Sequence, residues 1–87
     1  MRNFEGTHKW AYYKVEEQLE GGVLLIRRSP FTDTLHSIVL NEPFEKFMRY
    51  YHGEGLIQEV FPDLTPDERE FVMTGITPVE WDSTFGE

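Results

Sequence analysis

Asp63, Asp67, Glu68 and Glu70 place four carboxylates within eight positions, the densest set of reactive groups in the chain. Such a cluster suggests a hard cation. A calcium loop, however, needs alternating oxygen ligands, a central glycine and a distal glutamate, and this spacing lacks that order. Asp67 and Glu68 are better explained as negative charge at the positive end of a helix dipole. His8, His36 and His52 lie far apart in the sequence, and none falls in a two-histidine helical frame. Ser29, Ser37 and Ser83 lack the glycines of a nucleophile elbow. His52-Gly53-Glu54-Gly55 has the glycines of an anion loop, but Glu54 and Glu59 oppose a phosphate and no lysine accompanies them. No catalytic, metal or cofactor residue is assigned, and no cofactor is expected.

Charge is the stronger signal. From Gly53 to Glu87 nine acids face one base, Arg69, whereas from Met1 to His52 seven bases balance seven acids. The whole net charge of −8 therefore belongs to the C-terminal segment. An acidic block favours cationic surfaces and disfavours the nucleic acid backbone. Arg27-Arg28 is the one adjacent basic pair, too small for a nucleic-acid footprint in a chain of pI near 4.7. Cap chemistry accounts for Asp67, Glu68 and Glu80, but the asymmetry extends beyond them. The candidate partner-binding residues are Glu59, Asp63, Asp67, Glu70 and Asp82, with Tyr50 as an aromatic anchor of the kind that dominates binding surfaces.

The elements that must carry these residues divide at about Leu40. Trp10–Glu17, Val23–Arg28 and Leu35–Leu40 are rich in aromatic and β-branched residues and read as three antiparallel strands. Glu20-Gly21-Gly22 and Ser29-Pro30-Phe31-Thr32-Asp33-Thr34 supply the turns. A helix over Trp10–Leu19 competes with the first strand, because Glu16, Glu17, Gln18 and Leu19 are good helix formers. Trp10, Tyr12 and Tyr13 cannot all face inward along one strand.

Beyond Leu40 the pattern is helical. Asn41 is the N-cap candidate, with Pro43 in the first turn, and Phe44, Phe47, Met48 and Tyr51 share one helical face. On that helix one of Tyr50 and Tyr51 is expected to point away from the core. Gly53 and Gly55 stop the helix, and Leu56–Phe61 forms a short one ended by Pro62. Thr65-Pro66-Asp67-Glu68 and Thr77-Pro78-Val79-Glu80 are two capping boxes, with Gly75 closing the helix that the first one opens. Trp81 and Phe85, at i and i+4, are expected to seal the last helix onto the core.

Several of these segments resemble a group of small proteins encoded by bacteriophages. The matching residues are Ser29-Pro30-Phe31-Thr32, Leu56-Ile57-Gln58, Phe61-Pro62 with Leu64, Asp67-Glu68-Arg69-Glu70-Phe71, and Thr74-Gly75-Ile76-Thr77-Pro78 with Glu80-Trp81-Asp82. The resemblance covers roughly residues 28–86. The group tends to carry Gly-Lys after the first turn, where this chain has Asp33-Thr34, and residues 1–22 have no counterpart. The resemblance carries no activity with it. It implies a phage setting and a small protein acting on host or virion machinery.

The expectation is a single α+β domain over residues 1–87: a small antiparallel sheet of about three strands, then three or four short helices. Residues 1–8 are expected to be flexible, 9–40 strand-rich, and 41–87 helical and acidic. With 13 aromatic residues and zero cysteines, the core must rest on ring burial and not on disulfides. No apolar run approaches the roughly 20 residues of a membrane span. Met1 to Gly6 lacks the apolar stretch of a signal peptide, so a cytoplasmic location is expected, that of the host cell in a phage setting. The expected function is a non-enzymatic interaction protein that binds a basic surface of a host protein, in defence or transcription machinery, and inhibits or redirects it. The alternatives are a self-associating virion or assembly component, compatible with a homo-oligomer, and a small ligand-binding module or enzyme.

Overall fold

The computed structural model describes residues 1–85, with side chains through Ser83. It is an α+β fold: β1 (Asn3–His8), β2 (Ala11–Glu17), β3 (Val23–Arg28), β4 (Leu35–Leu40), α1 (Phe44–Tyr51), α2 (Ile57–Val60), α3 (Pro66–Thr74) and α4 (Pro78–Phe85). The strands form one antiparallel sheet in the order β1-β2-β3-β4. The three expected strands are present and Trp10–Leu19 contains no helix. The fourth strand falls on residues expected to be flexible.

Strand alternation sorts the side chains. Tyr13 and Val15 of β2, Val23 and Leu25 of β3 and Leu40 of β4 turn inward and are buried. Phe44, Phe47 and Tyr50 of α1, Val60 and Phe61 around α2, Leu64, and Phe71 and Val72 of α3 close over them. The helices cover only this face. On the other, Leu35 and Val39 remain 49% and 64% exposed. Tyr13 joins the two layers, its hydroxyl donating to Phe47 O at 2.8 Å.

Arg27 and Arg28 show the same alternation with opposite fates. Arg28 points outward and pairs with Asp33 at 3.5 Å. Arg27 points inward and is fully buried, with Nη2 donating to His8 O at 3.1 Å and to Met73 O at 3.3 Å. Its guanidinium lies 5.1 Å from the centre of the Tyr13 ring. No carboxylate accompanies it, and Nε and Nη1 have no hydrogen-bond partner among the described residues. Burial lowers its pKa, with Tyr13 and Tyr50 opposing the shift.

Both threonine boxes form. Thr65 Oγ1 accepts from Glu68 N at 3.1 Å while Thr65 N donates to the Glu68 carboxylate at 2.8 Å. Thr77 and Glu80 repeat the exchange at 3.2 and 2.9 Å. Gly75 ends α3 in the left-handed region at φ 80°. A Cβ there would sit 2.8 Å from Arg27 Cβ and 3.0 Å from Arg28 O, so only glycine lets α3 close onto β3.

Four local expectations are corrected. Asn41 does not cap α1. Pro43 occupies the N-cap in extended conformation, and its ring has no oxygen to offer. Neither tyrosine of α1 points away from the core: Tyr50 packs on His8 and Phe61, and Tyr51 on Phe4 and Tyr13. Trp81 is half-buried on the rim, edge-to-face with Phe31 at 5.6 Å, because the interior beneath α4 is filled by Ile76 and Glu80. The expected Phe85 contact lies outside the described side chains. Trp10 is not in a strand but in the two-residue turn between β1 and β2, and is 97% exposed.

That turn is strained. Lys9 and Trp10 have φ of 51° and 65°, the geometry of a tight hairpin that Asn-Gly adopts without penalty. Replacing Lys9→Asn together with Trp10→Gly should therefore raise unfolding stability by about 1 kcal/mol. A urea titration showing no gain, or a loss, would contradict a strained turn.

Candidate functional site

Ion pairing divides the chain at the same place as its composition. Arg2 bridges Glu17 at 2.7 Å and Glu45 at 2.6 Å, Lys14 pairs with Glu16, Arg28 with Asp33, and Lys46 with Glu42. All of these partners lie within residues 2–46. Among the described residues, no lysine or arginine pairs with an acid beyond Gly53. Glu80 pairs only with His36. The N-terminal charges cancel one another, and the C-terminal carboxylates face water without a counter-charge.

The six candidate residues do not form a single patch. Glu59 and Tyr50 line a cleft of about 500 Å³ together with His8, Leu56, Ile57 and Met73. Tyr50 is a wall of this cleft and only 6% exposed, so it is not a free docking ring. Its hydroxyl pKa is raised, mainly by burial and further by the nearby Glu70 carboxylate, against the opposing Arg27 charge. Glu59 also accepts from Leu56 N at 2.9 Å and so has a structural duty at the start of α2. Asp67 lines a different groove of about 240 Å³, between β4 and α3, with Glu68, His36, Ile38, Phe71 and Pro78. Asp63, between α2 and α3, and Asp82 on α4 are exposed and line neither space.

Two titratable sites were not legible in sequence. His8 sits among the rings of Tyr50, Tyr13 and Tyr51, at 4.8, 5.7 and 6.0 Å. Burial, then the Arg27 and Lys9 charges, press its pKa down to about 4, so the ring is neutral at pH 7. The second site is Glu80, buried where three segments meet. It accepts from Thr32 Oγ1 at 2.5 Å and from Thr77 N, and its carboxylate lies 3.1 Å from His36 Nε2. Burial by itself would raise this carboxyl. The hydrogen bonds from Thr32, Thr77, His36 and Ser29 outweigh burial and hold it at about 2.

The Glu80 cluster contains serine, histidine and carboxylate, yet its connections are structural. A nucleophile needs its hydroxyl directed at the histidine. Here Ser29 is bonded to Glu80, and its oxygen accepts Phe31 N at 3.1 Å, which fixes the β3–β4 turn. Among the described residues no group of three His, Cys, Asp or Glu side chains is placed to hold a metal ion. No helix among them is long and apolar enough to cross a membrane.

No family model, curated protein or solved structure matches the chain in any of the three comparisons.

The depressed Glu80 carboxyl fixes a pH dependence. Its folded pKa of about 2 lies below the model value of 4.5, so it stabilises the fold fully above about pH 4.5 and loses that contribution as pH falls toward 2. Glu80→Gln should therefore be destabilised at pH 6, on the order of 2 kcal/mol, and the gap to wild type should close by pH 2. Thermal melts that keep a constant gap across this range would refute the charged, hydrogen-bonded Glu80.

Proposed function

We propose that this chain is a non-enzymatic interaction protein whose acidic helical layer docks on a basic surface of another protein. In the phage setting that the sequence resemblance implies, the partner is a host protein in defence or transcription machinery, inhibited or redirected by the complex. One observation carries the reading: the bases of residues 2–46 pair with acids of the same segment, leaving Asp63, Asp67, Glu70 and Asp82 without a cationic partner. Solubility alone would be served by acids of either segment. Unpaired charge on one layer also steers a cationic partner and accelerates its approach.

A second reading, a self-associating assembly component, draws support from the uncovered outer face of the sheet. Leu24 and Val39 sit opposite one another there, with Leu35 further along β4. The exposed row is short, and the acidic layer has no role in this reading.

The discriminating variant reverses Asp63→Lys, Glu70→Lys and Asp82→Lys. It spares Glu59, Glu68 and Glu80, whose carboxylates hold helix starts. A partner captured from bacterial lysate should bind this variant at least about tenfold more weakly, mainly through slower association. Raising salt from about 0.1 to about 1 M, which shortens the screening length from about 10 to about 3 Å, should weaken the wild type likewise. Unchanged affinity under both treatments would overturn the acidic-docking reading.

A further inference from the structure

The acidic layer supplies attraction, but charge alone does not fix register. The free edge of β4 can. β4 is the last strand of the sheet and pairs only with β3, in an unbroken register from Val23↔Leu40 to Arg28↔Leu35. Among the described residues no other backbone or side-chain group bonds its main chain. Alternate residues of an edge strand therefore turn unpaired N–H and C=O groups outward.

Edge strands in stable proteins are usually blunted by charge, proline or a bulge. β4, Leu35-His36-Ser37-Ile38-Val39-Leu40, has no Lys, Arg, Asp, Glu or Pro. The opposite edge, β1, carries Glu5, whose carboxylate accepts from Tyr12, and is flanked by Arg2 bonded across to Glu17. The two edges are treated differently, and the bare one adjoins the groove lined by Asp67 and Glu68.

We infer that the β4 edge and this groove form a strand-addition site for an extended segment of the partner in which basic and apolar residues alternate. The inference rests on the acidic-docking reading and names how that surface holds its partner. An added strand alternates its side chains between the two faces of the sheet. On the inner face they enter the groove, where Ile38, Phe71 and Pro78 can cover the aliphatic stem of a lysine or arginine. The cationic head then meets Asp67, which has no basic partner, and the Glu68 carboxylate, whose charge the cap does not neutralise. His36 does not compete, since its Nε2 is already 3.1 Å from Glu80. On the outer face the alternate residues lie beside Leu35 and Val39, which an apolar cross-strand neighbour would cover. Main-chain bonds would supply affinity and the two rows of side chains selectivity. A second copy is the poorer occupant. Pairing β4 with itself would bring Asp67 and Glu68 of both chains to one seam, with like charges opposed.

The test uses the whole protein and three capped hexapeptides: one alternating Lys and Val, one alternating Glu and Val, and the first N-methylated at alternate positions, made in both phases. The Lys-Val peptide should slow hydrogen exchange of edge-facing β4 amides by at least about tenfold at saturation. The Glu-Val peptide should not bind. One N-methylated phase should fail, because it removes the bonding N–H groups, while the other binds. Asp67→Asn should weaken the Lys-Val peptide roughly tenfold with an unchanged melting curve. The inference is overturned if the Lys-Val peptide does not bind, if both N-methylated phases bind like the parent, or if β4 exchange is unaltered. β4 protection that rises with protein concentration alone would assign the edge to a second copy and also overturn it. The Asp63, Glu70 and Asp82 reversal leaves the groove intact. Loss of a partner in that variant, with no β4 protection by peptide, would sink strand addition and spare the acidic-docking reading.

Discussion

A buried cation without a carboxylate sets the terms for the rest of this fold. Arg27 lies at the point where the end of β1, the middle of the sheet and the last turn of α3 converge. Its charge is met by two carbonyls, His8 O and Met73 O, and by the face of the Tyr13 ring. Met73 O belongs to the negative end of a helix dipole, which favours a cation there. Isolating a charge from water is costly unless such dipoles are fixed in place. Arg27 therefore works only if the β1–β2 hairpin is closed and α3 is docked. Gly75 follows from this, since a side chain there would collide with the Arg27 stem. The neutral state of His8 follows as well, because the guanidinium beside it opposes a second positive charge.

Glu80 plays the matching part at the other end of the molecule. Thr77 and Glu80 close their box locally, but the same carboxylate also reaches Thr32 in the β3–β4 turn and His36 on β4. A local cap thereby becomes a tertiary tie, and α4 docks through a polar node while Trp81 rests on the rim. A buried carboxylate is tolerable because every donor around it favours the ionised form. The groove at β4 is defined by this tie, since Thr77 and Pro78 form one of its walls.

What was legible in the sequence was what short-range chemistry decides. Both capping boxes, the glycine that closes α3 and strands β2 to β4 depend on spacing and propensity within a few residues. β1 was not legible because its inward positions are Phe4, Gly6 and His8, which show no apolar alternation. Gly6 faces inward because a Cβ there would lie 2.6 Å from Tyr51 Oη, a constraint set by α1 some 45 residues away. Trp10 read as a strand residue because nothing in Lys9-Trp10 announces two positive φ angles. Arg27 and Arg28 read as a basic pair, and only the sheet assigns one to the core. The acids were legible as a charge, but not as two separate grooves. That β4 is an edge strand is a property of strand order, which no local pattern encodes.

The carboxylates themselves separate into those that build and those that are spare. Glu59, Glu68 and Glu80 each satisfy a backbone N–H at a helix start, so part of the net charge is a consequence of making short helices stand alone. Asp63, Asp67, Glu70 and Asp82 make no such contact. Three of these four can contribute only a field, which raises encounter rates but leaves orientation open. Asp67 differs because it lies beside backbone groups that can form directional bonds. A fold of this size has room for one small core and little else. It can still bind selectively if long-range charge gathers the partner and a bare strand edge fixes how that partner lies.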